Sequence, residues 1–114
     1  MNGMNATTTY TAKPQGTAPA GRKDDEGKLR FDLLDPEFEE QTVAALTHGA
    51  KEYGDNNWQH VEDPVNRYYA ALRRHLAAWR KGEKVDPKSG LNHLACVSAN
   101  VMFLMHFECP GDKN

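Results

Sequence analysis

Asp-Pro recurs at 35–36, 63–64 and 86–87, and a stretch with helical spacing of apolar residues follows each pair. Aspartate accepts from the free N–H groups of a first helical turn, and proline at the first helical position gives up no hydrogen bond. Three helix starts are therefore expected. The first helix should run from Pro36 to about Tyr53, with an acidic first turn (Glu37, Glu39, Glu40) and Gly54 as its stop. Phe38, Thr42, Ala45, Leu46, Ala50 and Tyr53 form its stripe. A second helix should run from Pro64 to about Lys81, with Val65, Tyr68, Tyr69, Leu72, Leu76 and Trp79 on one face and Gly82 beyond. The third should run from about Pro87 to Glu108, ahead of Cys109-Pro110-Gly111. No alternating strand pattern competes, so the expected class is all-α, a small bundle of three main helices.

The end of the third helix, VMFLMHF, is apolar on nearly every side. Such a helix needs cover all round. Two short partner helices in one chain do not supply it, so a homo-oligomer, dimer or tetramer, is expected. With 114 residues the chain holds one domain at most. Residues 1–21 are rich in Thr, Ala, Gly and Pro and read as a disordered arm; 22–109 form the domain; 110–114 are a tail. Within the domain, RKDDEGKLRF at 22–31 reads as a charged extended segment or loop lying over the rest.

A net charge of -2 gives no pull toward nucleic acid or anionic membrane, so neither is expected as a partner. Asn92, His93, Ser98, Asn100 and His106 make 91–107 too polar for a membrane span. No secretory signal is visible at the polar, Thr-rich start. Two cysteines make no disulfide framework, and Cys96 reads as a small core residue. A reducing cytoplasmic setting follows as the default.

The chemistry-bearing residues gather around the break between helices two and three, RHLAAWRKGEKVDPKSGLNH at 74–93. A short link makes the two helices antiparallel. His75 and His93 each lie nine residues from residue 84, so they should come level. His75, Trp79 and Glu83 are four apart and share a face, and Asp86 and His93 are seven apart and share another. Two readings of this spacing stand side by side. In one, His75, His93, Glu83 and Asp86 line a cleft that holds Mg²⁺ or Mn²⁺, with imidazole shifting the preference toward Mn²⁺ or Zn²⁺. In the other, the histidines are hydrogen-bonded packing and the acids cap helix ends. On one continuous helix Asp86 and His93 would stand about 10 Å apart, too far to share an ion unless the first turn unwinds.

Cationic side chains surround the same region: Arg73 and Arg74 beside His75, Lys51 on the first helix, and Lys23, Lys28 and Arg30 on the charged segment. Guanidinium forks and ammonium charges suit phosphate oxygens, although any single one reads equally as a solvated face. In GDNNW at 54–58, Asn56 or Asn57 can hydrogen-bond a base and Trp58 can stack on it, or Trp58 can simply cover the core. No phosphate loop of the G-x-x-x-x-G-K-[ST] kind, nucleophile elbow or C-x-x-C pair is present.

GRKDDEGKLRFDLL, THGAKEYGDNNW, RHLAAWRKGE and DPKSGLNHL occur in this order from about Gly21 to Phe107. The ordered set resembles the phage-borne dATP/dGTP diphosphohydrolases, the MazZ-like relatives of MazG. The resemblance implies an oligomeric all-α fold and divalent-metal-dependent cleavage between the α- and β-phosphates of a purine deoxynucleotide. It implies dAMP or dGMP and pyrophosphate as products, and in some phages a supply of dGMP toward DNA in which 2-aminoadenine replaces adenine. The broader MazG pattern carries E-x-x-E on one helix and E-x-x-D on the next. Here those positions fall near Ala70, Ala71, Arg74 and His93, while Glu37–Glu40 and Glu83–Asp86 stand elsewhere.

The resulting expectation is a metal-dependent pyrophosphohydrolase of dGTP or dATP in the cytoplasm of a phage's host. Glu83, Asp86, His75 and His93 serve as metal ligands or proton handlers. Lys23, Lys28, Arg30, Lys51 and Arg74 hold phosphates, and Asn57 and Trp58 read the sugar or base. The alternatives are a non-enzymatic oligomeric helical protein that binds a nucleotide or host partner, and an unusual nucleotide kinase.

Overall fold

A computed structural model describes residues 20–109, so most of the expected 1–21 arm and the 110–114 tail lie outside the described residues. Three helices carry the structure: α1 (Pro36–Tyr53), α2 (Pro64–Arg80) and α3 (His93–Glu108). Two short 3-10 turns, Phe31–Leu33 and Asn57–His60, precede α1 and α2. Among the described residues the extended pairing is confined to an isolated bridge between Val85 and Asn92, so the class is all-α. No helix among them is long and apolar enough to cross a membrane.

The chain divides into two compact units, residues 1–31 and 32–114. In the first, the described segment turns at Asp25–Lys28, where the Lys28 amide donates to the Asp25 carbonyl at 3.0 Å. Lys23 pairs with Asp25 at 3.4 Å, and both side chains are well exposed.

In the second unit, the first two Asp-Pro pairs begin helices. The Asp35 carboxylate accepts from the Glu37 amide at 3.1 Å, and Gly54, at φ 99°, ends α1. Asp63 opens α2 from a left-handed backbone and accepts from the Asn66 side-chain amide at 3.1 Å.

The third pair behaves differently. Helix α3 starts at His93, six residues after Pro87, and its cap is Asn92, whose side chain accepts from the Leu94 amide at 2.8 Å. Residues 84–92 form a closed turn instead of a helical first turn. The Asp86 amide donates to the Leu91 carbonyl at 2.8 Å, and the His93 amide to the Lys84 carbonyl at 2.8 Å. Inside it, the Asp86 carboxylate accepts from the Ser89 amide and hydroxyl, and Gly90 takes φ 76°. Aspartate bonding to a backbone amide three residues on competes directly with helix formation.

α3 packs on both other helices, most extensively on α2. Thr42 on α1 and Ser98 on α3 share a 2.7 Å hydrogen bond. The fully buried positions among the described residues all lie on α3: Ala95, Ala99, His93 and Asn100. Small alanines let the helices approach closely, and Asn100 satisfies its amide on the Cys96 carbonyl at 2.8 Å.

Candidate active site

An open cleft of about 1130 Å³ runs between the C-terminal half of α1, the Asn56–Trp58 turn and the α2–α3 hairpin. Antiparallel packing sets its two ends. At one end, Tyr68 of α2 meets Phe103 of α3 with ring centroids 4.7 Å apart. Trp58 stacks on Phe103 at 4.7 Å, with His106 edge-on at 4.9 Å, and its carbonyl accepts from the Tyr68 hydroxyl at 2.7 Å. Seven residues along α2 from Tyr68 stands His75, and seven back along α3 from Phe103 stands Cys96. Both steps are two helical turns, about 10 Å. The second end of the cleft is therefore built at the level of His75 and Cys96, beside the turn that carries Asp86.

Here one nitrogen of His75, one oxygen of Asp86 and the sulfur of Cys96 all lie within 4.8 Å of one another. Behind them runs a chain of hydrogen bonds. His93 Nε2 is 2.8 Å from Glu83 Oε1, and His93 Nδ1 is 2.8 Å from His75 Nδ1. A carboxylate only accepts, so His93 donates from Nε2. In the tautomer where His93 Nδ1 carries no proton, it accepts from the Nδ1–H of His75, and His75 Nε2 keeps its lone pair.

The environment favours that arrangement. Burial pushes the His75 pKa down, helped by His93 and Arg74 and opposed by Asp86. Burial raises Asp86, but the Ser89 hydroxyl and amide, the Lys88 amide and His75 together hold its carboxyl below the usual range. Burial pushes the Cys96 thiol up.

Of the residues expected from sequence, His75, His93 and Glu83 come together as that chain, and Asp86 joins His75 from the turn. The late start of α3 is what brings Asp86 in, because it removes the two helical turns that would have separated it from His93. Arg74, Asn57 and Trp58 line the cleft. Lys51 is exposed in the last turn of α1 and is not among the lining residues. Lys23, Lys28 and Arg30 belong to the separate N-terminal unit. Arg67, Lys88 and His48 also line the cleft, and Cys96 and Ser89 join the His75 end. Cys96 reads as a core residue in the sequence, and only the observed register, which pairs Tyr68 with Phe103, brings it level with His75.

An all-α hairpin whose cleft runs from an aromatic cluster to a His–Asp–Cys group is the class of protein these features define. The family described as "dATP/dGTP diphosphohydrolase, N-terminal" matches residues 18–114, and the chain belongs to it. A protein of Salmonella phage PMBT28, described as a dATP/dGTP diphosphohydrolase, is 34% identical over 84 residues, which cover 74% of this chain. The matched stretch spans only 28% of that relative's length. No solved structure matches the chain.

Proposed function

We propose that this chain hydrolyses dATP or dGTP to the monophosphate and pyrophosphate, in phage nucleotide metabolism within the host cytoplasm. The observation that carries the reading is the two-ended cleft, in a chain whose family is described by that activity. Its aromatic end, Trp58 with Asn57, suits a purine and its sugar. Arg74, Arg67 and Lys88 supply positive charge along the lining, against the carboxylates of Asp55 and Asp86, and suit a polyphosphate.

At the His75–Asp86 end, a water oxygen attacks the α-phosphorus. The bond from that phosphorus to the oxygen bridging to the β-phosphate breaks, and pyrophosphate leaves. Glu83 and His93 hold the His75 ring, and with Nδ1 protonated its Nε2 is the nitrogen able to take a proton from the attacking water.

One carboxylate, one imidazole and one thiol do not make a Mg²⁺ site, which asks for an octahedron of oxygens. In this reading Mg²⁺ or Mn²⁺ enters on the triphosphate, as part of the substrate. Both ring nitrogens of His93 are engaged, so it positions His75 and does not serve as a ligand.

A homo-oligomer is part of the same proposal. Leu94, Val101 and Met105 form one exposed stripe on α3, and Val65, Tyr69 and Leu76 form another on α2. Stripes of this kind pack against a second copy.

The test incubates the full chain with each common nucleoside triphosphate and Mg²⁺ or Mn²⁺ and reads monophosphate and pyrophosphate together. Equal release of both from dATP or dGTP is expected. Substitution of Asp86 by Asn should lower the rate about 10²-fold. No pyrophosphate from any nucleotide, or transfer of phosphate to a second nucleotide, overturns the reading.

A further inference from the structure

We propose that His75, Asp86 and Cys96 bind one Zn²⁺-class transition-metal ion. This goes beyond the hydrolase reading, in which Mg²⁺ or Mn²⁺ travels with the nucleotide, and it needs no nucleotide to be true. The ligand atoms come from three different places, α2, the 84–92 turn and α3, yet all lie within 4.8 Å of one another. Around a tetrahedral Zn²⁺ with bonds of about 2.0–2.3 Å, ligand atoms sit roughly 3.3–3.8 Å apart. Small side-chain rotations therefore close the site.

The donors select the metal. Thiolate and imidazole favour borderline-soft ions, while a lone carboxylate gives little hold on Mg²⁺. On loading, the Cys96 sulfur gives up its proton to solvent and bonds the ion as thiolate.

The surroundings match what such an ion needs. A metal-binding imidazole characteristically donates its second N–H to a carboxylate or another acceptor, which fixes the ring and strengthens the ligand nitrogen. His75 does this through His93 to Glu83, at 2.8 Å for each step. Asp86 is fixed in turn by the Ser89 hydroxyl at 2.7 Å, and that same hydroxyl lies 3.8 Å from the Cys96 sulfur. Three protein ligands leave a fourth position, and all three line the cleft. Structural zinc sites use four protein ligands, whereas three with an open position is the pattern of catalytic ones.

The experiment strips the full chain with EDTA and titrates it with Co²⁺, then Zn²⁺, in the absence of nucleotide. A near-ultraviolet thiolate-to-cobalt charge-transfer band should grow to saturation at one ion per chain and vanish when Zn²⁺ displaces Co²⁺. Excess Mg²⁺ should leave it unchanged. Cys96→Ser should abolish the band and Cys109→Ser should retain it. Glu83→Ala, which frees the outer end of the chain, should weaken Co²⁺ binding about tenfold or more.

Because Cys96→Ser can fail to fold, alkylation of Cys96 in the Cys109→Ser background gives a second readout. Zn²⁺ should slow it at least tenfold, and Mg²⁺ should not. Absence of the band in the native chain, its loss in Cys109→Ser, or no protection of Cys96 overturns the site. Nucleotide turnover without the band leaves the hydrolase reading standing and removes this one; the band without turnover does the reverse.

Discussion

His93 is only 4% exposed, yet it is the first residue of its helix, a position more often solvated. Its burial is tolerable because each ring nitrogen has a partner, Glu83 on one side and His75 on the other. Truncating it opens a cavity and strands the His75 N–H, so His93→Ala should lower stability by about 2–4 kcal/mol in urea titrations. Glu83 tells the opposite story. Its side chain is 55% exposed, so solvent screens its charge, and a neutral amide oxygen accepts the same bond. Glu83→Gln should cost less than about 1 kcal/mol in the same titration. The level placement of His75 and His93 was readable from their equal distances to the break. The role of Cys96 was not, because a cysteine within an apolar run has the composition of a core residue, and its ligand-like position depends on which residue faces it across the hairpin.

At the scale of elements, the 84–92 turn decides most of the site. Asp-Pro starts α1 and α2 but closes a turn at 86–87, and the dipeptide itself does not distinguish these outcomes. The residues after it do. Ser89 and Gly90 offer a hydroxyl donor and a left-handed backbone, and Asn92 stands as a cap directly before the apolar run. Those signals are present in KSGLN, and the Asp-Pro repeat masks them. Gly90→Ala forces a side chain into φ 76°, and a loss of about 1 kcal/mol or more is expected by thermal or chemical denaturation. The Asp35 cap is simpler. Asp35→Ala should cost about 1 kcal/mol by the same measurement, with the cleft unaffected. Helix limits were otherwise legible to within a residue, since the stops at Gly54 and Gly82 follow from glycine chemistry alone.

For the whole molecule, the balance of buried and exposed apolar surface matters most. No large apolar side chain is fully buried among the described residues, while Phe38, Val43, Tyr69, Val101 and Met105 are each at least 40% exposed. Such a chain gains little from folding alone and much from a partner. Sedimentation equilibrium should give a multiple of the 12.8 kDa chain mass, and Val101→Glu with Met105→Glu should shift it toward the single chain. VMFLMHF announces a helix that is apolar on most sides, but not which face stays exposed in the chain, because that depends on how α1 and α2 divide the sides of α3 between them.

The matched seven-residue steps on α2 and α3 give the cleft a fixed gauge. Neither end can slide without its counterpart on the neighbouring helix sliding too, so the distance between the aromatic cluster and the His75 level is held at two helical turns. A chain lengthened by a single residue between Tyr68 and His75 would turn the imidazole by about 100° around the helix axis and break the gauge even with every side chain retained.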